Sequence, residues 1–157
     1  DDRGLLASET LDYDTQLTSN PEFTTNYEYD SKGRLSTIGY PQINGGNRQV
    51  SYEYTNRGQL WKVSYDNGSN NLLETRSYDA GGLLESITRP QFNETRMYDN
   101  ANRLDFIENL KSGASPNDQI GRLTYGYDKN GNKTSEMFSG GPAGLARPLR
   151  FKGGLRF

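Results

Sequence analysis

The 157-residue chain contains no cysteine and no histidine. The first absence excludes a disulfide framework and any thiolate nucleophile or thiolate metal site, though not secretion. The second removes the Ser-His-Asp and Cys-His arrangements and the commonest zinc ligand. No apolar run approaches the ~20 residues of a membrane-spanning helix, and no basic-then-apolar leader stands at the first residues. Charge of one sign is lacking too: 18 Lys and Arg face 20 Asp and Glu, for a net charge of −2. With a pI near 5.2, the chain lacks the basic excess of a nucleic-acid binder.

Hydrophobic residues are scarce. They make up 31% of the chain, against the roughly 45–50% apolar usage, glycine included, of ordinary globular domains. Disorder does not follow, because 11 Tyr, 6 Phe and 1 Trp are spread along the sequence. Disordered chains are poor in aromatics and carry high net charge. The length fits one ordinary domain with a modest core. A thin sheet rich in tyrosine reconciles these facts, since tyrosine buries its ring and keeps its hydroxyl wet.

What is present is periodic, and internal periodicity decides the architecture. The stretch YEYDSKGRLSTI, Tyr27 to Ile38, has a near copy in YGYDKNGNKTSE from Tyr125. Aligning Tyr29-Asp30, Tyr54-Thr55, Tyr78-Asp79, Tyr98-Asp99 and Tyr127-Asp128 spaces the tyrosines about 20 to 29 residues apart. Three residues after each acid slot stand Gly33, Gly58, Gly82, Asn102 and Gly131. A leucine follows two residues later in four copies, at Leu35, Leu60, Leu84 and Leu104, and then Ile38, Val63, Ile87 or Ile107 three residues beyond. The fifth copy is degenerate, with Lys133 in the leucine slot. The opening RGLLASET, Arg3 to Thr10, lies over GGLLESIT, Gly81 to Thr88, and reads as a further copy cut open. The expectation is a fragment, or a shortened relative, of something longer.

Each slot has a physical reason. Alternation in Thr25-Asn26-Tyr27-Glu28-Tyr29 puts both tyrosines on one face of a strand. An Asp at a turn start accepts hydrogen bonds from backbone amides one or two residues on, and a glycine closing the turn takes positive φ without a Cβ penalty. The pattern predicts a type I turn closed by a bulge at Gly33 and its equivalents. Asn102, where the glycine is missing, is the other residue that enters the left-handed region readily. Thr55, where the Asp is missing, offers a hydroxyl for a weaker version of the same bond. Geometry is preserved and carboxylate chemistry is not. Pro41 and Pro90, each three residues after the isoleucine slot, then break the second strand.

The fold class predicted is therefore all-β, built of consecutive antiparallel β-hairpins. One point stays open: Leu35 and Ile38 are three residues apart and would face opposite sides of a straight strand. Either a bulge rotates the strand between them, or both faces of the sheet are partly covered.

The motif Tyr-x-Tyr-Asp-x-x-Gly-Arg-Leu-x-x-Ile, complete at Tyr27 to Ile38, closely resembles the tyrosine-aspartate (YD) repeat of Rhs proteins, teneurins and the C subunits of insecticidal Tc toxins. The resemblance covers residues 1–138. Arg76 and Arg96, in ETRSYD and ETRMYD, depart from it by replacing the first tyrosine. RPLRFKG, Arg147 to Gly153, resembles the start of an Rhs-associated core region, giving a Gly/Pro-rich basic tail over 139–157. GPAGLA, Gly141 to Ala146, is faintly similar to the family's self-cleavage signature. Gly141 stands where that signature needs Asp, so no proteolytic activity is implied.

The resemblance implies a long sheet that curves or spirals into a shell able to enclose a toxic polypeptide, or an extracellular adhesion scaffold. It implies a secreted or exported bacterial protein, not an enzyme, without cofactors. Expected partners are flanking repeats, self-association through sheet edges, an enclosed toxin polypeptide or glycans. Nucleic acid and a membrane span are not expected. Five hairpins cannot close a large shell, so an open segment with two exposed edges is expected.

Two sharper readings compete with the structural one. Asp30, Asp79, Asp99 and Asp128 could supply the paired carboxylates of glycoside hydrolysis, but their periodic turn placement favours structure. Tyr27, Tyr29, Tyr52, Tyr54 and Trp61 could stack on sugar rings as a carbohydrate-binding module, with cross-strand ladders as the alternative. DKNGNKTSE from Asp128 is no calcium loop. Lys133 stands at the glycine position and Glu136 comes three residues early for the bidentate ligand. Arg147, Arg150, Lys152 and Arg156 make the tail locally basic, which leaves a polyanion contact or a solvated end.

Overall fold

The computed structural model describes residues 2–12, 22–42, 46, 48–67, 71–113 and 119–140. The tail expected over 139–157 therefore lies, from Gly141 onward, outside the described residues. Every regular element among those described is a β-strand, in keeping with the tyrosine-rich alternation of the sequence. The strands are β1 (Ser8–Asp12), β2 (Glu22–Tyr29), β3 (Leu35–Gly39), β4 (Gln49–Tyr54), β5 (Leu60–Asp66), β6 (Asn71–Tyr78), β7 (Leu84–Thr88), β8 (Phe92–Tyr98), β9 (Leu104–Lys111), β10 (Gln119–Tyr127) and β11 (Lys133–Ser139). No helix among the described residues is long and apolar enough to cross a membrane.

The chain divides into two compact units, Asp1–Thr75 and Arg76–Phe157, with the division inside β6. In the first unit each strand from β1 to β6 pairs antiparallel with the next. In the second, β7 to β11 do the same. Consecutive antiparallel hairpins are thus the fold, as the repeats predict.

The register answers the question left open by Leu35 and Ile38. Tyr29 pairs with Leu35 and Glu28 with Thr37, so Ser36 is an extra residue in β3. The bulge restores parity: Ile38 pairs with Tyr27, and directly opposed residues share a face. Leu35 and Ile38 therefore both lie on the tyrosine face. Repeat two does the same, with Tyr54 opposite Leu60, Tyr52 opposite Val63 and Trp61 as the extra residue. Repeat four pairs Tyr98 with Leu104 and Arg96 with Ile107, leaving Asp105 extra. Repeat five pairs Tyr127 with Lys133 and Tyr125 with Glu136, leaving Thr134 extra.

The core is as thin as the composition demands. Among the described residues the buried hydrophobic side chains are Val63 and Ile87, both in the isoleucine slot, at 9% and 5% exposure. With so little burial, stability rests on cross-strand pairs and on hydrogen bonds within and between hairpins. Those bonds converge on the repeated tyrosines and turns.

Candidate functional site

The turn comes first, because it aims everything else. In repeat one the Gly33 amide donates to the Asp30 carbonyl at 3.0 Å and the Asp30 amide donates to the Arg34 carbonyl at 2.8 Å. The same pair of bonds recurs at Thr55, Gly58 and Gln59, at Asp79, Gly82 and Leu83, at Asp99, Asn102 and Arg103, and at Asp128, Gly131 and Asn132. The closing residue has φ of 77° at Gly33 and 59° at Asn102, inside the left-handed region that a Cβ disfavours. Gly58, Gly82 and Gly131 close their turns in the same way. Gly4, in the matching slot of the opening half-copy, has φ of 77° as well.

The carboxylate reaches further than the sequence suggests. Asp30 Oδ1 accepts from the amides of Lys32 and Arg34, two and four residues on, both at 2.9 Å. Asp99 and Asp128 repeat this with Ala101 and Arg103, and with Asn130 and Asn132. Asp79 accepts from Leu83 at 2.7 Å. Thr55 Oγ1 makes the corresponding bond to the Gln59 amide at a longer 3.2 Å. The backbone and side-chain bonds from Arg34 hold the Asp30 carboxyl below its ordinary range. Side-chain bonds from Arg103 and Asn132 lead the same effect at Asp99 and Asp128. Carboxylates kept ionised by their own turns are unsuited to general acid work.

From the turn an inter-repeat clasp extends. Arg34 grips Asp30 Oδ2 through Nε at 2.7 Å and Nη2 at 2.6 Å. Its guanidinium lies 4.3 Å above the ring of Tyr54, the second tyrosine of the next repeat. The Tyr54 hydroxyl then donates to the carbonyl of Leu35 at 2.8 Å. Repeat four closes on repeat five in the same way: Arg103 binds Asp99, stacks 4.7 Å from Tyr127, and the Tyr127 hydroxyl donates to Leu104 at 2.9 Å. Tyr98 donates to Leu84 at 3.0 Å, and Tyr29 donates to Leu6, in the leucine slot of the half-copy, at 3.0 Å. Tyrosine thus places its ring in the sheet face and its hydroxyl on the backbone of the preceding repeat.

The remaining aromatic candidates have separate settings. Tyr27 donates to Glu9 Oε1 at 2.7 Å, and that bond to a carboxylate raises its pKa. Tyr52 is half-buried opposite Val63, and burial raises its pKa. Trp61 sits at the unpaired bulge position, 37% exposed, with Lys62 Nζ 5.8 Å from its ring. Tyr29 and Tyr54 carry guanidinium groups over their rings, from Arg3 at 5.9 Å and Arg34.

The arginine at a tyrosine slot in repeat four is a paired replacement. Glu94, two residues earlier on the same strand face, accepts from Arg96 Nε at 2.7 Å. The clasp arginines themselves, Arg34 and Arg103, are functional residues that the motif shows as GRL and NRL but whose stacking partner only the fold reveals. Among the described residues no group of three or more His, Cys, Asp or Glu is placed to hold a metal ion.

Tandem hairpins, Asp-started turns and tyrosine clasps define the class: an all-β protein of consecutive antiparallel hairpins. Solved structures share this fold. A crystal structure of TcdB2-TccC3-TEV matches with a TM-score of 0.65 at 21% identity, over 83% of this chain and 7% of that one. The structure of a Photorhabdus luminescens Tc holotoxin pore carrying a TccC3 mutation matches with a TM-score of 0.64 at 21% identity, over 82% of this chain and 6% of that one. The chain therefore spans a small fraction of the proteins it resembles. No family model matches it, and no curated protein matches it by sequence.

Proposed function

We propose that this chain is a structural segment of a YD-repeat shell or scaffold in a secreted or exported bacterial protein, and that it has no enzymatic role. The observation that carries this is the clasp, in which tyrosine hydroxyls of four repeats donate their protons to the backbone of the preceding repeat. A surface built for chemistry or for sugars leaves polar groups free to meet a ligand, whereas here they join one hairpin to the next. The fold shared with Tc toxin structures supports the same reading. Its partners are flanking repeats and, in a longer assembly, an enclosed polypeptide.

A glycan panel tests this, together with the variants Trp61→Ala and Tyr54→Phe. The expected result is no saturable sugar binding, with Tyr54→Phe lowering stability. Saturable binding that Trp61→Ala abolishes without loss of fold would overturn the structural reading in favour of a carbohydrate-binding module. Turnover of a glycoside abolished by Asp99→Asn in a folded protein would overturn it in favour of an enzyme.

A further inference from the structure

On the tyrosine face of the first unit, β1 and β2 border a cleft of about 610 Å³, inside the ~300–1,000 Å³ range of small-molecule sites. Glu9 stands opposite Thr25 and Leu11 opposite Phe23, so these four side chains share one face. Pro41, two residues past β3, lines the same cleft. Thr10 lines it too, but its hydroxyl bonds Thr24 on the other face of the sheet. The walls are thus largely apolar. Leu11 keeps 55% of its surface exposed, so its hairpin leaves it open to a ligand.

The charged group in this lining departs from the repeat. Four copies carry Ile38, Val63, Ile87 or Ile107 in the slot that Glu9 fills, and Val63 and Ile87 are buried there. A carboxylate supplies no such apolar cover. Glu9 Oε1 accepts from the Tyr27 hydroxyl at 2.7 Å, which leaves Oε2 for a further donor. Among the described residues no lysine or arginine pairs with Glu9. An oriented carboxylate beside Leu11, Phe23 and Pro41 suits a ligand with one cationic end and an apolar remainder.

We propose that this cleft binds a small primary ammonium ion carried on an apolar body. The ammonium donates to Glu9 Oε2 and the body lies against Leu11, Phe23 and Pro41. Charge complementarity selects the cation: an anion is repelled by Glu9, and a neutral molecule gains the apolar contact alone. The Tyr27 bond holds the carboxylate in place beforehand, so less freedom is lost on binding. The inference goes beyond the scaffold reading above and stands apart from it, since its test involves neither sugars nor flanking repeats.

Titration of the full chain with 2-phenylethylammonium, followed through backbone amide NMR signals, tests this. Saturable shifts should centre on residues 9–11 and 23–27, with a Kd of about 5 mM or tighter, as a ligand of this size allows. The neutral 2-phenylethanol should bind about threefold more weakly, the scale of one exposed charge pair, and phenylacetate should not bind. Glu9→Gln keeps an acceptor for Tyr27 and removes the charge, so in that variant the ammonium and the alcohol should bind alike. Leu11→Ser should weaken both by about threefold through lost apolar contact. Nα-acetyl-lysine methylamide, whose ammonium sits on a thin stem, should bind more weakly than 2-phenylethylammonium. Tighter binding would give the cleft to a lysine of a polypeptide and overturn the proposal. Equal affinities of the ammonium and the alcohol for the unaltered chain, shifts centred on other strands, or no saturation at about 50 mM would each overturn it as well. Because the ligand series runs on the unaltered chain, the proposal is tested even where a variant fails to fold.

Discussion

Residues 30 to 34 show how much one turn asks of its side chains. Asp30 bonds two amides and a guanidinium, and Gly33 takes a φ of 77° that a β-branched residue would strain. Gly33→Val should therefore cost on the order of 1–2 kcal/mol, while Asn102→Gly, at a φ already left-handed, should be nearly neutral. Urea midpoints of the two variants check this, and equal losses would contradict the shared turn geometry. The same logic explains why Thr55 stands in for Asp in repeat two: a hydroxyl reaches the Gln59 amide, though at 3.2 Å and without charge.

The element that matters is the hairpin with its bulge. Placing Ser36 as an extra residue turns Leu35 and Ile38 onto one face with the tyrosines, where they can meet the next repeat. Tyr127→Phe removes the bond to Leu104 but keeps the ring, and should cost about 1 kcal/mol, the usual net worth of one such bond. An Arg103→Met change at the same junction removes both the Asp99 pair and the cover over Tyr127. A double-mutant cycle between Arg103→Met and Tyr127→Phe should show coupling, because the two side chains touch. Independent losses would mean that the stack contributes nothing beyond its parts.

Over the whole molecule the turn carboxylates act together on stability. Asp30, Asp99 and Asp128 all have pKa values lowered by turn and partner hydrogen bonds. The unfolded chain binds those protons more readily, near pH ~3.9 for an ordinary Asp. Their stabilisation is fully present above that value and is lost as pH falls through the lower folded values. Urea midpoints should therefore hold from neutral pH down to about pH 4 and fall as the pH drops further. Asp30→Asn, Asp99→Asn and Asp128→Asn together should lower the neutral midpoint and flatten the acid fall. An unchanged acid slope would show that other groups govern it. In repeat proteins such contributions sum along the array, so no single turn should dominate.

The turns were legible in the sequence because their chemistry spans five residues. An acid or hydroxyl, a three-residue step and a glycine or asparagine specify backbone geometry locally, and the alternation around Tyr27 and Tyr29 specifies a strand and its face. Two things were decided only by the tertiary structure. The parity of Leu35 and Ile38 depends on a bulge, which is a matter of register against the facing strand rather than of either residue alone. The role of the tyrosine hydroxyl depends on a partner 14 to 23 residues away that is a backbone carbonyl. Every residue carries that group, so no side-chain pattern can announce it. The sequence by itself determined the hairpins and where they turn. Only the packing of one repeat on the next decided that their tyrosines join them.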